Sequence, residues 1–396
     1  MDINEPLPLL AGLTPAQFMR RHWQKKPLLV RQALPGFSPL MSRPELFKMA
    51  ARDEVESRLI LQNDTGWRMK QGPFAPRSLP ALNQSAWTLL VQGVDLHNQK
   101  AHELLQRFRF IPDARMDDLM ISFATPGGGV GPHFDSYDVF LLQASGQRRW
   151  KISKQKDLTL QPDVPLKILQ NFEPEEEFVL EAGDMLYLPP RYAHDGIAEA
   201  TVGLDGKIAD CMTYSIGFRA PERRELAAEL LHRLAEFSED QAQSSSSSHG
   251  QFLYRDPRQV ATATPAALPA DLATFATGAV LEALKDPLAV ACALGEYMTE
   301  LKPSVWFDET DAGWDISHGQ GHGEADVFLD PKTRMMYDEH HVFINGESYR
   351  AKGADARLMQ GLADHRMISA RDLRKASTAA HDLLADWHAA GWINRK

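Results

Sequence analysis

Cysteine is nearly absent from this chain: there are two in 396 residues, Cys211 and Cys292, and no CxxC pair. That excludes a disulfide framework and fits a reducing compartment better than secretion. Long hydrophobic runs are absent as well, none approaching the roughly 20 residues that a membrane-spanning helix needs. The opening MDINEPLPLLAGL has no basic segment ahead of an apolar stretch, so no signal peptide is expected. Positive charge is in short supply, with 43 Lys and Arg against 53 Asp and Glu for a net charge of −10. A general nucleic-acid binder needs the opposite balance, so no direct nucleic-acid binding is expected. A basic protein partner is compatible with this charge, because opposite potentials steer encounter. No internal repeat is present. These absences predict a cytoplasmic protein without membrane attachment.

What remains is ordinary globular text. Hydrophobic residues make up 43% and charged residues 24%, enough for a substantial core, and the length suggests two or three domains. Thr14-Pro15 predicts a helix start. Short apolar runs separated by Gly, Pro and Asp follow: 118–124, 137–143, 148–152, 177–180, 185–188 and 212–218. Strands at such spacing indicate a β sandwich or barrel. From 221 to 237, Leu226, Leu230, Leu231 and Leu234 recur on one helical face. The run QAQSSSSSHG at 241–250 reads as a flexible loop, and helices are expected at 269–285 and 288–301. Beyond 305, strands at 326–329 and 334–349, with an Asn345-Gly346 turn, and helices at 354–365 and 370–390 suggest a small winged-helix-like module. The expected domains are 1–220, 221–304 and 305–396.

The chemistry concentrates at PGGGVGPHFDSYDVFLLQ, residues 126–143. On a strand, side chains two apart share a face about 7 Å apart, so His133 and Asp135 can converge on one cation. A third ligand must come from another strand, and AGDMLYLPPRYAHDG supplies His194. Two imidazoles and a carboxylate with open positions form the facial triad of non-haem Fe(II) oxygenases. The alternative is a pair of polar residues on a solvated strand face. A second His-x-Glu, His322-Gly323-Glu324, lies in the polar run HGQGHGEAD near His318, His340 and His341, and reads as a solvated loop. A 2-oxoglutarate cosubstrate also needs a cation for its distal carboxylate. In 148–152, Arg148, Trp150 and Ile152 share one face, so Arg148 is expected to point inward, where a guanidinium fork matches a carboxylate. An internal salt bridge is the competing explanation. In CMTYSIGF, Cys211, Thr213, Ser215 and Gly217 form a small polar face opposite Met212, Tyr214, Ile216 and Phe218. Asp118, Met120 and Ser122 likewise share a face of the preceding strand. Each polar face lines either a ligand cavity or solvent.

Residues 117–150, 189–196 (PPRYAHDG), 214–221 (YSIGFRAP) and 21–34 (RHWQKKPLLVRQAL) resemble the Jumonji-C oxygenases, and among them the bacterial ribosomal oxygenases. The likeness is strong over 1–220 and weaker beyond. The resemblance implies a double-stranded β-helix (jelly-roll, cupin-like) barrel, a helical dimerisation region and a winged-helix C-terminal domain. It further implies a homodimer that hydroxylates an arginine of ribosomal protein L-sixteen, using Fe(II) and 2-oxoglutarate. On it, His133, Asp135 and His194 fall at the iron ligands, Arg148 at the cation for the 2-oxoglutarate tail, and Ser122 at a cosubstrate contact. Asp118, Tyr137 and Ser215 fall at the site for the substrate guanidinium. Two departures stand out. Residues 199–210, EATVGLDGKIAD, look like an insertion, and Thr213 replaces an expected asparagine at a cosubstrate position. Three other readings compete: hydroxylation of another residue such as histidine, a non-catalytic scaffold on the same fold, and a cupin metal enzyme for a small molecule. The intact triad with Arg148 argues against the scaffold, and Arg148 with the appended domains argues against the small-molecule cupin.

Overall fold

The computed structural model describes residues 2–63, 66–202, 206, 208–244, 253–257, 266–310, 325–350 and 352–395. The chain divides into two compact units, Met1–Ala220 and Pro221–Lys396. The helices after 220 and the C-terminal module, expected as separate domains, therefore group together.

The first unit begins with α1 (Pro15–Arg21), where Thr14 and Gln17 form a reciprocal capping box and proline opens the first turn. Then come β1 (Leu28–Val30), α2 (Arg43–Met49), β2 (Ser57–Asn63), β3 (Gly66–Gln71), β4 (Trp87–Val91) and α3 (Gln99–Gln106). Seven further strands follow: β5 (Met116–Ala124), β6 (Asp138–Ser145), β7 (Arg148–Ser153), β8 (Glu176–Leu180), β9 (Met185–Leu188), β10 (Ala193–Ala198) and β11 (Cys211–Phe218). Two antiparallel sheets result, one of eight strands in the order β1-β9-β6-β11-β5-β4-β2-β3 and one of three, β10-β7-β8. This is the expected double-stranded β-helix. The strands before 118 and the short helices among them were not foreseen. His194 lies on β10, a strand separate from the one that follows His133 and Asp135.

Strand alternation sorts the large sheet into two faces. Outward go Leu119, Ile121 and Phe123 of β5, Phe140 and Leu142 of β6, and Tyr214, Ile216 and Phe218 of β11, joining Phe18 of α1, Leu46 of α2 and Leu104 of α3 in the main core. Inward, Val139, Leu141 and Leu186 meet Trp150 and Ile152 of the small sheet in a second cluster. The rest of the inner face mixes Asp118, Ser122, Thr213 and Ser215 with Ile60, Met69, Leu90 and Met120, and it is this face that bounds the site.

The second unit holds α4 (Arg223–Ser244), α5 (Ala270–Ala283) and α6 (Pro287–Thr299), then β12 (Val327–Leu329), β13 (Met335–Tyr337), β14 (His341–Ile344) and β15 (Glu347–Arg350). It ends with α7 (Gly353–His365), β16 (Met367–Ile368), α8 (Ala370–Leu373), α9 (Thr378–Ala389) and β17 (Ile393–Arg395). Two small sheets, β16-β12-β17 and β13-β14-β15, pack with α7, α8 and α9 around Trp387, Leu384 and Leu362. Two expectations are corrected. The loop at 241–250 starts later, because α4 runs through Ser244; residues 245–250 lie outside the described residues. The helix expected at 370–390 is two helices, because Ser377 caps a fresh start by accepting from the Ala380 N–H.

Phe18 illustrates how the first unit is held. Its fully buried ring lies 5.0 Å from Tyr187, 5.5 Å from Phe140 and 5.9 Å from Phe110, tying α1 to the large sheet. Phe18→Ala is expected to cost about 3–5 kcal/mol, read as a lower denaturation midpoint by near-ultraviolet circular dichroism. A midpoint within error of the parent would show that α1 is not coupled to the sheet.

Candidate active site

The site starts from a backbone contact. His133 and His194 exchange two hydrogen bonds, His133 N–H to the His194 carbonyl at 2.9 Å and His194 N–H to the His133 carbonyl at 2.8 Å. The segment before β6 thereby adds to the edge of the small sheet before crossing to the large one. The imidazole centroids come within 4.2 Å of each other. Asp135, two residues on, brings its carboxylate within 3.6 Å of His194 Nε2. One ligand atom from each of His133, Asp135 and His194 lies within 4.8 Å of the others, the sole such group among the described residues.

The glycines make this approach possible. A side chain on Gly129 would lie 2.5 Å from the Gly196 carbonyl oxygen, and one on Gly196 would lie 2.5 Å from the Trp150 ring. Trp150 in turn stands 5.8 Å from the His194 ring and backs it.

The donor set fits a divalent metal. His133 Nδ1–H donates to the Gly131 carbonyl at 2.8 Å and His194 Nδ1–H to the Tyr192 carbonyl at 2.9 Å. Each bond fixes the tautomer that leaves Nε2 unprotonated for coordination. Burial, then the neighbouring His133, lowers the His194 pKa to about 4, so its lone pair is free at neutral pH.

A cavity of about 410 Å³ opens beside the three residues, within the usual size of a small-molecule site. Arg148 lines its far end. It is 3% exposed, its Nε and Nη2 have no hydrogen-bond partner among the described residues, and its guanidinium stacks 5.8 Å from Trp150. A desolvated cation in this state calls for an anion. A dicarboxylate spanning from the metal cluster to Arg148 satisfies it. Ser122 and Thr213 line the wall between. Ser122 donates to the Thr213 carbonyl at 3.3 Å. Thr213 is 1% exposed and its hydroxyl already donates to Gln143 Oε1 at 2.8 Å, so its proton is engaged within the wall.

At the opposite end Asp118, Tyr137 and Ser215 line the same cavity. Asp118 is 6% exposed and accepts from the Gly93 N–H at 3.0 Å. Tyr137 presents an exposed ring edge, but desolvation of its hydroxyl, then Asp135, Asp118 and Asp117, push its pKa well above the usual phenol range. The phenol therefore stays protonated and donates to Asp135. Beside it Asp117 pairs with Arg219 at 3.6 Å. The second motif, at His322 and Glu324, lies outside the described residues. In the insertion, Val202 and Ile208 form an antiparallel bridge with both side chains exposed. Arg58, Gln92, Met69, Leu90 and Lys167 also line the cavity, unforeseen because they belong to strands and loops far off in sequence.

Residues 103–226 match the JmjC domain and residues 281–394 the ROXA-like winged helix. The barrel segment is thus similar to the JmjC domain, and the C-terminal segment to the winged helix. Over 212 residues it is 42% identical to the ribosomal protein uL16 3-hydroxylase of Escherichia coli, 53% of each chain being covered. It is 35% identical over 213 residues to a probable ribosomal oxygenase of Haemophilus influenzae, covering 53% of this chain and 50% of the relative. In these alignments the chain spans about half the length of the curated relatives it matches. The fold likeness reaches further: the Escherichia coli ribosomal oxygenase YcfD, in complex with cobalt and 2-oxoglutarate, superposes with a TM-score of 0.77 at 28% identity, covering 97% of this chain and 98% of that one. The JmjC barrel and the winged helix are thus both accounted for.

The contact of Gly196 with Trp150 makes a test of this local architecture. Gly196→Ala has to push the indole aside, at about 1–3 kcal/mol. A lower melting temperature and a shifted tryptophan emission are expected; an unchanged emission spectrum would mean that the indole does not rest on the glycine.

Proposed function

We propose that this protein is an Fe(II)- and 2-oxoglutarate-dependent JmjC-domain oxygenase that hydroxylates an arginine side chain of ribosomal protein L-sixteen (uL16). The observation that carries this reading is the buried, unpartnered guanidinium of Arg148 in the same cavity as the His-Asp-His cluster. His133, Asp135 and His194 hold the iron, and Arg148 takes the distal carboxylate of 2-oxoglutarate, with Ser122 and the Thr213 segment beside it. When bound, the pair supplies oxidising power: O₂ and 2-oxoglutarate yield succinate, CO₂ and one oxygen atom for the substrate C–H bond.

The protein's own residues position and shield. Asp118 and Ser215 accept from a substrate guanidinium, with Tyr137 closing over it, and this holds the reacting carbon toward the metal side of the cavity. Leu141, Val139 and Trp150 keep the interior dry. No side chain serves as a nucleophile or general base. The acidic mouth, with Asp117, Asp118 and Asp135, favours a cationic target over a neutral imidazole, and the net charge of −10 suits a basic ribosomal protein. Such a substrate places the reaction in the cytoplasm; no described helix is long and apolar enough to cross a membrane.

Two variants separate the parts of this reading. Arg148→Ala is expected to weaken 2-oxoglutarate binding by about 2–5 kcal/mol while iron binding stays near normal. Asp118→Ala is expected to abolish hydroxylation of an L-sixteen fragment while both iron and 2-oxoglutarate still bind, measured by calorimetry and by intact mass. Hydroxylation of a histidine, or of a lysine put in place of the target arginine, counts against the arginine pocket.

Residues 221–304 mediate homodimerisation in this reading. Phe275, Val280, Leu281 and Leu284, in and just after α5, are 41–55% exposed, an apolar surface suited to a second copy. Light scattering at micromolar concentration is expected to report twice the chain mass, and Val280→Glu with Leu281→Glu to report a single chain. A monomeric parent protein would remove the dimer from the reading.

A further inference from the structure

The cavity has a third polar feature, apart from the metal cluster and the Arg148 end. Strands β2, β3 and β4 turn Arg58, Ile60, Met69 and Leu90 toward it, with Gln92 just past the end of β4. Arg58 pairs across the ladder with Leu90, and Leu90 with Ser122. This wall therefore continues, strand by strand, the one that carries Asp118 and Ser122.

Arg58 is under-used where it stands. Of its five N–H donors, Nη2 gives a hydrogen bond to Gln92 Oε1 at 2.9 Å, and Nε is buried with no hydrogen-bond partner among the described residues. Glu56, its ion-pair partner, lies at 3.9 Å, beyond hydrogen-bond reach. The side chain is 30% exposed and lines the cavity. A desolvated donor without an acceptor costs about 1–3 kcal/mol, and Gln92 holds the guanidinium where an incoming acceptor relieves that cost.

The surroundings decide what the acceptor is. Asp117, Asp118 and Asp135 already line this cavity, and Glu56 stands beside Arg58. A further carboxylate meets like charge there, whereas a neutral carbonyl turns its dipole to the guanidinium charge without adding a negative one. The peptide main chain is the obvious source. Arg58 lies two strand spacings from β5, about 10 Å, the reach of about three extended residues. We propose that Arg58, held by Gln92, is a substrate-anchoring residue that donates to a main-chain carbonyl two or three residues from the target arginine. This rests on the reading that the substrate is a peptidyl arginine clamped by Asp118.

Anchoring through a carbonyl has a signature that a structural role lacks. Replacing one peptide bond by an ester weakens the carbonyl that precedes it as an acceptor. A fluorescent L-sixteen fragment and a set of its single-ester analogues would be titrated, by anisotropy, into the full chain loaded with cobalt and 2-oxoglutarate. Arg58→Gln is expected to raise the Kd of the parent fragment about tenfold. One ester, two or three residues from the arginine, is expected to weaken binding to the parent protein about fivefold and to leave binding to Arg58→Gln unchanged, a coupling that a double-variant cycle isolates. Because each comparison is made on one folded variant, a change in melting temperature does not blur it. Arg58→Gln binding the fragment as the parent does, or every ester weakening both proteins equally, would overturn the anchor and leave the arginine reading standing. A parent protein that neither binds nor hydroxylates the fragment would overturn that reading, and the anchor with it.

Discussion

The paired backbone hydrogen bonds between His133 and His194 are the constraint on which the site depends. They join the segment entering β6 to β10, residues that the chain separates by four strands and a long loop. Once the two carbonyls and two N–H groups are matched, the imidazoles have no choice but to face each other, and Asp135 is carried into the same volume by strand parity. The glycines at 129 and 196 are the sequence's concession to this contact, since a single methyl group at either place meets a carbonyl or an indole. Backbone pairing thus sets the side-chain geometry, and the Nδ1 hydrogen bonds to Gly131 and Tyr192 merely choose which nitrogen is offered.

The division of the large sheet into an aromatic outer face and a mixed inner face follows from the same economy. Stability comes from outside, where Phe18, Phe108, Phe140, Tyr187 and Phe218 interlock. The inner face is thereby released from packing and can carry groups that are poorly satisfied at rest. Arg58 on this face and Arg148 on the small sheet are both in that condition. Such groups are tolerable only because the barrel beneath them does not rely on them.

Much of this was legible in the sequence, where local pattern and tertiary role coincide. His133 and Asp135 are two apart on a glycine-led strand. Arg148 alternates with Trp150 and Ile152, and the small face of 211–217 alternates with large apolar residues. What was missed lacks such a pattern. In β2 both Leu59 and Ile60 are buried, which breaks the alternation that would mark Arg58 as facing a cavity. β4 is buried throughout and reads as well for a core helix as for a strand. β10 is AHDGIA, poor in β-formers, and is a strand only because β7 and His133 pair with it. Thr213 lies on the cavity side, one of the two readings its strand left open, and its hydroxyl bond to Gln143 depends on a neighbouring strand that no local motif announces.

The electrostatics of the cavity carry one more consequence. Arg148 is a desolvated cation at one end, and Asp117, Asp118 and Asp135 gather as carboxylates elsewhere on the lining, with Arg58 and Lys167 also on the wall. On the proposed reading a dianion is stabilised at Arg148, and a cationic side chain is held at Asp118 and repelled from Arg148. Two ligands of opposite charge are thereby sorted to opposite ends without separate pockets, and each covers the charge that would repel the other. The cation and the carboxylates are unequal in this respect. Arg148 is fully enclosed and depends on its ligand, whereas Asp118 has the Gly93 N–H to satisfy it when the mouth is open. On the proposed reading the anion therefore has more to offer the empty protein than the cation does, which is the physical reason for the cosubstrate to bind first and the protein substrate to close over it.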